Sequence, residues 1–157
     1  MMNPAHLHLA VCHLPVAGLA FSIGVAICGL VRKNRDFIRL AFVCYILCGI
    51  FVSAAFATGD GAEKVMELFP GIGEDQIGPH ENMAMFFFIG LMMIAAAAIV
   101  GLIESRNNET LLRKFNLVLL VCAILVAYSA FLTARSGGLI RHEEVKTAPV
   151  TNGTSPG

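Results

Sequence analysis

The sequence predicts an all-α integral membrane protein, a bundle of four membrane-spanning helices, and three observations carry that prediction. First, the 157-residue chain is 57% hydrophobic and only 14% charged, where soluble domains average about 45–50% and about 25%. So few charges cannot cover the surface of a soluble globule. Second, charged side chains are absent from Met1 to Val31, Leu40 to Gly59, Asn82 to Ile103 and Phe115 to Ala134. The last three windows hold 20, 22 and 20 residues, and about 20 helical residues cross a bilayer core. Third, lipid cannot satisfy open backbone groups, so each window must be helical. Eleven Lys and Arg balance eleven Asp and Glu. No basic field exists to attract nucleic acid.

The first helix is expected at about residues 4–31, with Asn3 as cap and Pro4 in the first turn, where its missing N–H costs little. The segment has no basic leader, and its three histidines are unlike a cleaved signal, so it reads as a retained span. The other spans are expected at about 38–59, 74–104 and 110–135. Between the second and third, Asp60-Gly-Ala-Glu63 has capping-box spacing. Ala62, Val65, Met66 and Phe69 then recur at helical intervals before Pro70-Gly71. That pattern predicts a short interfacial helix over Gly61 to Phe69. Residues 1–145 form one transmembrane domain, and the polar tail 146–157 is expected to be disordered.

The loops set the orientation. Arg32, Lys33, Arg35, Arg39, Arg106, Arg113 and Lys114 fall beside the two short loops, against Lys64, Arg135, Arg141 and Lys146 on the other side. The positive-inside rule puts the seven in the cytoplasm and both termini outside.

On that topology all five histidines (His6, His8, His13, His80 and His142) cluster at the extracytoplasmic end. Ionisable groups at membrane depth are costly and point to function. His13 precedes Leu14-Pro15, and the proline leaves the Val11 carbonyl without its helical donor. His8 and His13 lie on nearly opposite faces of an unbroken helix, so they cannot hold one ion together. His80 sits near the start of the third span, at the depth of His13. The expectation is therefore an opposed His13–His80 pair, of the kind that ligates a low-spin b-type haem, with His8 and His142 in reserve. Tyr128 and Arg135 share a helix face, and Arg135 and Arg141 offer guanidinium forks to propionate carboxylates. Gly137-Gly138 predicts a turn that leads His142 back to the interface. A transition-metal ion held by His13, His80, His8 and His142 is the alternative; a cofactor-free structural subunit is the third reading.

Other chemistries have no footing. Cys12, Cys28, Cys44, Cys48 and Cys122 all lie in spans, an odd number that does not make a disulfide framework. No Cys-x-x-Cys-His is present for covalent haem, and no phosphate loop or nucleophile elbow occurs.

The runs Asn3-Pro4-Ala5-His6-Leu7-His8 and His13-Leu14-Pro15, with His80-Glu81 and Gly137-Gly138-Leu139-Ile140-Arg141-His142-Glu143, resemble bacterial four-helix inner-membrane proteins grouped as a domain of unknown function. The chain departs from their pattern at Cys12, where Asn often stands, and at Gly78-Pro79. In histidine placement the family is similar to b-haem membrane cytochromes. The resemblance implies a multi-pass protein of the bacterial inner membrane. The function expected is electron transfer through a haem, as part of a larger respiratory complex or a homo-oligomer, in exchange with a quinol or a periplasmic carrier. The protein would tune potential and access and perform no bond-making chemistry of its own.

Overall fold

The computed structural model describes residues 3–69 and 74–141, the side chains of residues 75, 76 and 139–141 excepted. Five helices follow in order: α1 (Pro4–Val31), α2 (Arg35–Ala57), α3 (Gly59–Met66), α4 (Glu74–Glu104) and α5 (Glu109–Arg141). α1, α2, α4 and α5 are long and apolar enough to cross a membrane. They alternate in direction around the bundle in the order α1, α2, α4, α5, and α5 closes back on α1. One end of the bundle carries the two short loops with Arg32, Arg35, Arg39, Arg106 and Arg113; the other carries His6, His8, His13 and His80.

Local chemistry explains the boundaries. The Asn3 Oδ1 accepts from the Ala5 N–H at 3.0 Å and starts α1. Asn34 accepts from Asp36 N at 2.8 Å and Phe37 N at 3.2 Å, so α2 begins at Arg35, three residues before the apolar window suggested. Asn108 does the same for α5 through Leu111 N at 3.0 Å. These side-chain acceptors satisfy N–H groups that have no partner within the helix. The residues linking α1 to α2 turn through Lys33 at φ 51.

Two expectations about termini need correction. α3 starts at Gly59 and not at Gly61, with Asp60 inside its first turn and not at its cap; the Ala62 N–H closes on the Thr58 carbonyl. Gly137-Gly138 is not a turn. α5 continues through both glycines to Arg141, and the missing side chain of Gly137 admits the His80 ring at close range. Gly78-Pro79 does not break α4 either, because Pro79 lies so near its start that only the bond to residue 75 is lost. His142 and Pro70-Gly71 lie outside the described residues.

Small residues set how closely the spans approach. A methyl built on Gly49 would come within 2.7 Å of the Ala95 methyl, which locks α2 against α4. Gly101 is pressed by Phe42 from α2 and Phe115 from α5. In lipid, where apolar surface has no better refuge inside than outside, such close packing is the main source of cohesion. Phe42, Tyr45, Leu91, Leu112 and Ala123 fill the core, while Phe21, Phe86, Met93 and Leu125 face outward, as a lipid-facing surface requires.

At the arginine end polar groups are spent on each other. The Arg39 Nη2 donates to the Arg106 carbonyl at 2.9 Å, joined by Arg35 at 3.4 Å, and Arg113 donates to the Lys33 carbonyl at 3.4 Å. Glu109 sits between Arg35 (3.8 Å) and Arg113 (3.7 Å). Each short loop is thus clasped by a guanidinium from the other hairpin.

Candidate functional site

The histidine end is assembled from two hairpins that repeat one arrangement. In the first, His8 near the start of α1 reaches the far end of α2: its Nδ1 lies 3.1 Å from the Ala55 carbonyl and 3.0 Å from the Thr58 hydroxyl. The Thr58 hydroxyl itself donates to that carbonyl at 2.8 Å. In the second, His80 near the start of α4 reaches the far end of α5: its Nδ1 lies 3.0 Å from the Thr133 carbonyl and 3.2 Å from the Ser136 hydroxyl. Ser136 in turn donates to the Thr133 carbonyl at 2.9 Å. Both triads place a carbonyl and a hydroxyl three residues apart, one helical turn, beside an imidazole.

That geometry fixes which ring nitrogen bears hydrogen in both histidines. A carbonyl can only accept, so Nδ1 carries a proton in both rings. A neutral imidazole anchored through Nδ1–H to a backbone carbonyl, with Nε2 as the remaining donor of electrons, is the form in which histidine ligates a metal. His8 and His80 are both half-buried.

The repeat runs the length of the molecule. Asn34 and Asn108 cap the second helix of each hairpin, and Arg39 and Arg113, each five residues further on, clasp the opposite loop. His8 and His80 are 72 residues apart and the capping asparagines 74. Hydropathy and histidine counting do not disclose this repeat, nor Thr58 and Ser136 as part of it. The equal spacing from Asn to Arg in both halves is the signal that could have found it.

The remaining expected site residues are distributed as follows. His13 does not face His80. It is exposed on the outside of α1 and turns its Nδ1 to its own helix, 2.6 Å from the Leu9 carbonyl. The inward face of α1 carries Pro15, Leu19, Ser22 and Ala26; His8 precedes Pro15 by seven residues and shares that face, whereas His13, two residues before it, cannot. His6 is exposed. Tyr128 is 65% exposed toward lipid and does not join the histidines. Arg135 lines an open groove of about 440 Å³ between α4 and α5, with Pro79, Asn82, Met83, Leu132 and Ser136. The Arg141 side chain and His142 lie outside what is described.

Two further features shape this end. Gly137 lies against the His80 ring: a methyl there would come within 3.0 Å of Cε1 and 3.1 Å of Nδ1. On the other hairpin, α3 lies over the start of α1, where Gly61 meets Pro4. The Glu81 charge, followed by desolvation, Glu67 and Asp60, pushes the Glu63 carboxyl of α3 above the usual carboxylate range.

Among the described residues no group of three or more His, Cys, Asp or Glu side chains converges as a metal site. Two half-buried imidazoles, one from each hairpin, could supply the two protein nitrogens that a haem iron takes.

No curated protein and no solved structure matches the chain. Its four apolar spans and their connecting helix, residues 4–147 together, match the family model described as "Predicted membrane protein (DUF2231)", and the chain belongs to that family.

Proposed function

We propose that this protein is a membrane electron-transfer protein, or the cytochrome-like subunit of a respiratory complex, that holds a non-covalent b-type haem between His8 and His80 at the extracytoplasmic end of the bundle. One observation carries the reading: two half-buried imidazoles, one from each hairpin, both with Nδ1–H committed to a backbone carbonyl and Nε2 uncommitted. His8 and His80 would hold the iron, and the Arg135 guanidinium, which lines the neighbouring groove, would hold a propionate. The haem supplies one-electron carriage when bound. The protein's own contribution is to orient the rings through Ala55, Thr58, Thr133 and Ser136 and to surround them with apolar spans that restrict water. The seven basic residues of the arginine end orient that end toward the cytoplasm, and the histidine end toward an outer electron donor or acceptor such as a quinol.

The test is an absorption spectrum of the protein purified from cells supplied with a haem precursor. A Soret band with a reducible α-band is expected, and its loss in His8→Ala and His80→Ala but not in His13→Ala. A colourless protein, or loss of the band in His13→Ala alone, overturns the ligand assignment; stoichiometric metal without a porphyrin band replaces the haem with an ion. A C-terminal alkaline phosphatase fusion should be active, since the chain's last helix ends at the histidine end; an inactive fusion reverses the orientation.

A further inference from the structure

We propose that the middle of the bundle contains a binding site for one water molecule, held between Tyr45 of α2 and Asn116 of α5. Both side chains are completely buried, at 0% exposure. The Asn116 Nδ2 donates to the Ala26 carbonyl of α1 at 3.1 Å. Its Oδ1 and the Tyr45 hydroxyl, however, have no hydrogen-bond partner among the described residues. An orphaned polar group at this depth is destabilising, and lipid offers nothing to satisfy it.

The two orphans lie at one level. Gly101 marks that level, because Phe42 and Phe115 press on it from α2 and α5. α2 and α5 run in the same direction and touch across the diagonal of the bundle. Tyr45 is three residues beyond Phe42, and Asn116 is one beyond Phe115, so their Cα atoms differ in height by only about 3 Å. Helical side chains lean toward the N-terminus. The long Tyr45 ring therefore carries its hydroxyl back down toward the amide of Asn116. The two atoms do not bond directly, since neither has a partner within bonding distance.

One water resolves both deficits. It accepts from the Tyr45 O–H and donates to the Asn116 Oδ1. Two polar partners lie within the range of two to four that buried waters have. The site would tie α1, α2 and α5 together at a point where apolar packing alone gives no directional preference.

Radiolytic hydroxyl labelling of the full-length protein in lipid nanodiscs tests this, because hydroxyl radicals made from a bound water modify an adjacent aromatic ring that bulk solvent cannot reach. Tyr45 should be labelled several-fold faster than Phe42, which is equally buried one turn away. Asn116→Leu should reduce labelling of Tyr45 to the level of Phe42 and leave the exposed Tyr128 unchanged. If Tyr45 is as inert as Phe42 in the unaltered protein, the site is dry and the proposal fails. It fails equally if Asn116→Leu folds and Tyr45 is labelled as before. Should that variant not fold, the comparison of Tyr45 with Phe42 decides alone.

Discussion

The two hairpins of this bundle make the same bonds but do not have the same surroundings. α1–α2 and α4–α5 each begin with a histidine, turn at a capping asparagine, clasp the opposite loop with an arginine, and return to a carbonyl and hydroxyl that seat the histidine. Around that shared frame, the first hairpin is covered by α3, while the second opens through a groove beside Arg135. The closest glycine to the second seat, Gly137, touches the His80 ring; Gly59, in the matching place after Thr58, touches nothing within 4 Å. What repeats is what orients the imidazoles, and what differs is what reaches them. A ligand that bridges the hairpins would therefore depend equally on both histidines but gain access and side-chain contacts from one side.

The strongest way to break this comparison is to remove one histidine at a time. His8→Ala and His80→Ala should each abolish the low-spin haem spectrum, whereas His13→Ala should leave it unchanged; haem per protein from a pyridine haemochrome assay gives the numbers. Markedly unequal losses at His8 and His80 would show that the two seats are not equivalent.

The glycines sharpen it. Gly137→Ala should push the His80 ring by a few tenths of an ångström, loosen its bond to Thr133, and speed haem loss to apomyoglobin several-fold. Gly59→Ala, which meets open space, should not weaken haem retention and should stabilise α3 by about 0.4–1 kcal/mol through the unfolded chain. Equal effects at both positions would remove the asymmetry.

The caps probe the shared frame away from the site. Asn34→Ala and Asn108→Ala should each cost about 0.5–2 kcal/mol, Asn34 the more because it caps two N–H groups and Asn108 one. Unfolding by titration with a denaturing detergent measures both. A negligible cost at either would mean that its helix end is held by the loop clasp instead.

The smallest effect concerns α3, which only one hairpin carries. Glu63 has its carboxyl pushed up from the ordinary 4.5 by Glu81 first, then by desolvation, Glu67 and Asp60. The folded state thus holds the Glu63 proton more tightly than the unfolded chain does. The sign follows: this contribution is complete below about pH 4.5 and is lost as pH rises through the raised value. Amide exchange over Gly61–Met66, corrected for its intrinsic pH dependence, should speed up across that window. Glu63→Gln should flatten the change. A profile that Glu63→Gln leaves unaltered would assign the pH response to another group.

The spans are legible in the chain alone, because a membrane helix is specified locally. Twenty consecutive residues without charge can only be helical in lipid, whatever packs beside them, and Asn3, Asn34 and Asn108 cap through neighbours two or three residues away. The sequence also placed the histidines at one end, since that depends only on counting spans. Only the tertiary structure decided which histidine faces inward. α1 is apolar on every side, as lipid and protein interior make nearly the same demand, so no amphipathic stripe distinguishes core from membrane. Proline beside His13 drew attention to the wrong face. The readable clue was weaker: Pro15, Leu19, Ser22, Ala26 and Gly29 form the stripe that packs against the other helices, and His8, not His13, continues it. Which carbonyl an imidazole finds, and whether a glycine will ride against a ring and let α5 run on past Gly138, depend on atoms more than forty residues away along the chain. No local pattern encodes them.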